Sequence, residues 1–157
     1  MRNAFLIIIF FLASISSNAQ IDYLDVQDSL FNLSCGNIPM DDLMKSKSNL
    51  ETFDPKCLSK NANQYYKNLG YTYYVYAAKT EDYSYMSKAI EAFNKGLKIN
   101  PVDYNSHWDL AHCYFFNKEY QNCINSMQEY KANVPKKYYD KKGMKNLVKM
   151  SESKIKG

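Results

Sequence analysis

The sequence is poor in residues that interrupt helices, with 5 Gly and 4 Pro among 157 residues. A many-stranded all-β fold needs turn residues at every hairpin, so this composition argues against one. Histidine is scarcer still, with two, and the four Cys form no CxxC, which leaves neither a zinc knuckle nor a redox motif. His107 and His112 are five apart and Glu119 is the nearest Glu, so there is no HExxH zinc helix. No P-loop, GxGxxG or GxSxG occurs. Asp109 and His112 are three apart on one helix face, but no recognisable motif places a nucleophile beside them. Catalytic residues, metal ligands and cofactors are therefore not expected.

Aromatic residues are abundant: 15 Tyr and 8 Phe stand beside a single Trp. Apolar residues make up 46% and charged residues 23%, a balance that buries a core rather than leaving the chain disordered. One domain is the expectation at this length. Tyr beside Lys can stack on bases. Here, however, the rings recur at helical spacing and the net charge is only +4, so no nucleic-acid partner is expected.

Residues 1–19 read as an export signal. Met1-Arg2-Asn3 is a short basic start, Ala4 to Ile15 is an apolar run, and Ser16-Ser17-Asn18-Ala19 offers a small-residue cleavage site. As a helix the run spans about 18 Å, short of the roughly 30 Å hydrocarbon core. Cleavage after Ala19 leaves a soluble periplasmic or secreted chain that starts at Gln20, with no later membrane span. Such a compartment lets disulfides persist. Cys35–Cys57 is the pair expected, closing a loop of about 22 residues that adds roughly 3 kcal/mol less any strain. Cys113 and Cys123 lie inside a helical pattern, where a thiol is commonly a small buried hydrophobe. Four Cys allow three connectivities, and spacing alone does not choose among them.

Residues 20–60 form an N-terminal helical segment in this reading. Ile21 to Leu33 carries Ile21, Leu24, Leu30 and Leu33, Cys35-Gly36-Asn37 is a turn, and Met40 to Phe53 is a second helix ended by Asp54-Pro55. The sequon Asn32-Leu33-Ser34 matters only in a glycosylating host. Residues 61–157 show a period. Pro101 and Pro135 are 34 residues apart, and each follows a helical segment. Tyr66, Leu69, Tyr73 and Ala77 form one stripe, and Met86, Ala89, Ile90, Phe93 and Leu97 form another. Gly70 and Ala89 are small where two antiparallel helices would touch. Asp103 or Asn105 is placed to cap the helix after Pro101.

Tyr66, Leu69, Gly70, Tyr73, Ala89, Phe93, Gly96 and Pro101, followed by Leu110, Ala111, Tyr114, Cys123, Met127 and Pro135, resemble two consecutive tetratricopeptide repeats. His107 and Tyr130 depart from the pattern, and the first repeat carries about seven extra residues, close to two helical turns. The resemblance implies an all-α stack of helical hairpins, a short superhelix. It also implies a concave groove that takes a peptide or protein. On matching positions the groove comprises Gln64, Lys67, Tyr71, Tyr74 and Val75, then Asn105, Trp108, His112, Phe115 and Phe116, then Tyr139, Lys142, Asn146 and Lys149. The family's Lys/Asn carboxylate clamp is not reproduced: Lys67 fits, but Tyr71, Asp109, Tyr139 and Gly143 fill the other slots.

Residues 136–157 hold eight Lys against Asp140 and Glu152, a local charge of +6, and read as a basic C-terminal helix that caps the stack. The function expected is an exported, non-enzymatic interaction module, an envelope or secretion adaptor. The alternative is a small exported inhibitor of the immunity-protein kind, which would form one tight 1:1 complex. An enzyme with an unrecognised site is the third reading. The sequence leaves partner identity and oligomeric state open.

Overall fold

The computed structural model describes residues 38–55 and 62–156. The signal segment, the Ile21 to Leu33 helix, the turn at Cys35, the sequon and the Cys35–Cys57 pair lie outside the described residues. The chain divides into two units, Met1–Asp42 and Leu43–Gly157. Only residues 38–42 of the first are described.

Among the described residues six α-helices follow in order: α1 Met40–Thr52, α2 Ala62–Thr80, α3 Tyr85–Ile99, α4 Tyr104–Phe116, α5 Tyr120–Asn133 and α6 Lys141–Lys156. A 3-10 turn at Lys136–Tyr138 precedes α6, and there is no strand among the described residues. The loops between α2 and α5 are three or four residues long, which turns each helix back on its predecessor. Helix α2 pairs with α3 and α4 with α5, while α3 meets α4 and α5 meets α6. The fold is an all-α stack of helical hairpins.

The first hairpin closes where the sequence is small. Gly70 is buried, and a Cβ there would sit 2.9 Å from the ring of Phe93, itself fully buried. Phe93 belongs to a core of Tyr73, Ala77, Met86, Ala89, Leu110 and Cys113, which joins α2, α3 and α4. A second core of Ala111, Cys123, Met127, Tyr130 and Leu147 joins α4, α5 and α6. Cys113 and Cys123 thus face different cores, and both are free thiols. Burial pushes both thiols up, Cys113 well above the ordinary range. Of the seven extra residues between Gly70 and Ala89, five lengthen α2, one falls in loop 81–84 and one in the first turn of α3.

Tyr130 and Lys47 each fasten a join between elements. Tyr130, in a slot expected to be small, donates its hydroxyl to Tyr138 O (3.2 Å) and accepts from the Asp140 amide (3.0 Å), fastening the link into α6. Lys47 pairs with Glu51 (3.2 Å). Its ammonium lies 5.3 Å from the Tyr76 ring and 5.1 Å from the Tyr85 ring, which ties α1 to the first hairpin. Tyr65 donates to Leu50 O (2.7 Å), satisfying a carbonyl in the last turn of α1.

Helix ends follow local chemistry. Asp103 caps α4, accepting from the amides of Asn105 (3.2 Å) and Ser106 (3.5 Å), and its carboxylate also pairs with Lys67 of α2 at 3.3 Å. Helix α4 ends in a Schellman motif: Lys118 N bonds Phe115 O (3.1 Å) and Glu119 N bonds Tyr114 O (2.9 Å). Lys118 adopts φ 63°, a conformation that suits glycine. Lys118→Gly is therefore expected to raise stability by about 0.5–1 kcal/mol, net of the added freedom of the unfolded chain. A urea midpoint no higher than wild type would contradict this.

Helix α6 buries Leu147 and Ser151 and packs Met144 and Val148 against the second core. Lys142, Lys145 and Lys149 stand 34 residues after Trp108, Ala111 and Phe115, the α4 residues that pack on the second core, and all three are exposed. No described residue forms an ion pair with any lysine of α6.

Candidate aromatic interaction face

A chain of rings crosses from α2 to α4. Tyr71 and Tyr74, three apart on α2, have centroids 6.3 Å apart; Tyr74 lies 6.5 Å from Phe116, the last residue of α4. Phe116 stacks on Tyr83 of loop 81–84 at 6.1 Å, with planes 19° apart. Tyr83 and Phe116 are 49% and 44% exposed, so two large rings stand together in solvent at the mouth of the first hairpin. Such a cluster differs from a lone exposed apolar side chain, which is common on any surface.

Titratable groups line the base of this face. Burial pushes the carboxyl of Asp109 up to about 7, with Lys67 opposing the shift and Asp103 adding to it. Desolvation, together with the charges of Cys113 and Asp109, pushes the Tyr74 phenol up to about 12. His112 donates Nδ1–H to Trp108 O (2.9 Å); its burial lowers the imidazole pKa, and that hydrogen bond partly opposes the shift. Among the described residues no three His, Cys, Asp or Glu gather to hold a metal ion. No helix among them is long and apolar enough to cross a membrane.

The residues expected to line one trough are divided by the fold. Tyr71, Tyr74 and Phe116 form the ring chain and Phe115 lies 5.9 Å from Phe116, whereas the His112 ring lies 5.1 Å from that of Trp108. Lys67 is tied to Asp103. Gln64 bonds Asn68 (2.8 Å), and Val75 is half-buried. Trp108 turns toward α5 and α6: its ring lies 4.8 Å from that of Tyr130, and a Cβ on Gly143 would meet it at 2.8 Å. Tyr139 also packs on Tyr130, at 6.1 Å. Asn105, Lys142, Asn146 and Lys149 are exposed, with no described contact to the ring chain. Tyr83 was not foreseen. Its signal in the sequence is slight, one ring in an otherwise polar loop of Glu81, Asp82 and Ser84.

No protein-family model matches the chain, and no curated protein matches it.

Proposed function

We propose that this chain is an exported, non-catalytic interaction module of the tetratricopeptide kind that takes a peptide or protein partner on the aromatic face of α2 and α4. An envelope or secretion adaptor fits this reading. The observation that carries it is the pair of half-exposed stacked rings, Tyr83 and Phe116, continuous with Tyr74 and Tyr71. Rings already packed on one another lose little freedom when a partner docks, so their contact area is gained at small entropic expense. The export signal read in residues 1–19 supports placement outside the cytoplasm.

The test is capture of partners from envelope and secreted fractions, followed by titration of whatever is captured. Each buried aromatic anchor contributes about 2 kcal/mol, so Tyr83→Ala is expected to weaken binding roughly thirtyfold, and Phe116→Ala likewise. Lys142→Ala and Lys149→Ala should change it less than threefold. A partner lost with the lysines but kept by the ring variants would overturn the assignment.

A further inference from the structure

On the far side of α4 from the ring chain lies a second concavity of about 670 Å³, within the range of about 300–1,000 Å³ usual for ligand sites. Helix α4 contributes His107, Leu110 and Tyr114 to it, whereas Asp109, His112 and Phe116 occupy the opposite side of the helix, where Phe116 meets Tyr74. At 3.6 residues per turn the two sets point roughly 160° apart. The cleft is bounded by α3 on one side and α5 on the other.

Its polar lining includes three carboxamides: Asn94 from α3, and Asn122 and Asn125 from α5. Their existing bonds leave complementary groups over. Asn94 Nδ2 donates to Tyr114 Oη (3.2 Å) and Asn122 Nδ2 to Glu119 Oε2 (2.7 Å), which frees two carbonyl acceptors. Asn125 Oδ1 accepts from Gln121 (3.1 Å), which frees an amide donor. His107, nine-tenths buried in the same wall, donates Nε2–H to Pro101 O (2.8 Å) and leaves Nδ1 as an acceptor without a partner. Lys98 and Glu129 stand on the lining with opposite charges, so a ligand of one sign gains from one and is repelled by the other.

The geometry points to a second peptide site, one that holds an extended, uncharged segment by its backbone. A carboxamide carries the donor and acceptor of a peptide group, so free carbonyls and a free amide on facing helices match the alternating N–H and C=O of an extended chain. Leu97, Leu110 and Pro101 supply aliphatic wall for its side chains. A neutral glycan would use similar hydrogen bonds but wants open ring faces to stack on, and the lining offers one phenol ring, Tyr114, beside the buried imidazole of His107. With sites on opposite sides of one helix, the protein holds two partners at once.

The experiment pans a displayed library of random heptapeptides against the exported protein, beside an array of neutral glycans. Expected are largely uncharged peptides whose affinity falls at least tenfold in Asn122→Ala/Asn125→Ala. Both positions are exposed, so the fold should survive. The same peptides should bind Tyr83→Ala/Phe116→Ala within twofold of wild type, which separates this site from the aromatic face whatever becomes of the latter. No peptide sensitive to the asparagine pair, a set of peptides uniformly of one charge, or sensitivity shown only by glycans would each overturn the proposal.

Discussion

Phe93→Ala is expected to lower the stability of the folded chain by about 3–5 kcal/mol, the range for emptying a buried aromatic position. Its ring is wholly enclosed, and one side of it is the bare backbone of Gly70 on the partner helix. Domains of this size hold about 5–15 kcal/mol in all, so the variant would sit near the threshold of folding. The Gly70 contact supplies an internal check. Gly70→Ala alone drives a methyl into the ring and should destabilise, despite alanine's better helix propensity. In the Phe93→Ala background the same methyl enters the vacated space, so the double variant should be more stable than Phe93→Ala. Guanidinium midpoints of the four proteins give the coupling directly. Additive losses would mean that the two residues do not share a contact.

Stability should also fall as pH rises from about 4 to about 7, by roughly 2–4 kcal/mol, because of Asp109. Its carboxyl is raised from 3.8 to about 7 in the folded chain. Within that interval the native state keeps the proton while the unfolded chain has lost it. Raising the pH therefore favours unfolding, and the loss is complete above the folded value. Partial exposure of the residue places the effect toward the lower figure. Lys67 opposes the shift and Asp103 strengthens it, and their 3.3 Å pairing keeps both in place. His112 acts in the other direction, since its lowered value favours the native state as pH rises. Asp109→Asn isolates the carboxyl: the variant should match wild type near pH 3, below the unfolded value, and exceed it by about 2 kcal/mol or more at pH 8. Parallel curves for the two proteins would show that Asp109 ionises normally.

The hairpin architecture was legible because its determinants are local and periodic. Gly70 and Ala89, both small, announced a close helix contact, and Asp103 or Asn105 behind Pro101 announced a cap. The direction of Trp108 was not legible. It lies only one helical step from residues that face the rings, and what turns it inward is Gly143, 35 positions along, whose missing side chain leaves room for the indole. Tyr83 escaped because a loop has no period to read. The three cleft asparagines occupy helix positions where a polar residue ordinarily means nothing but contact with water. Only the packing of α3 and α5 on either side of α4 brings them to one cleft.

The lysine row of α6 bears on colloidal behaviour. Trp108, Ala111 and Phe115 pack against the second core, whereas Lys142, Lys145 and Lys149 present ammonium groups at the positions one repeat on. Another helix could not settle there without taking three charges out of water. Two molecules meeting through this face would bring six like charges together at short range, a repulsion strongest in dilute buffer and weakened by salt. Contact between two copies through this face is therefore expected to cost more in dilute buffer than in salt.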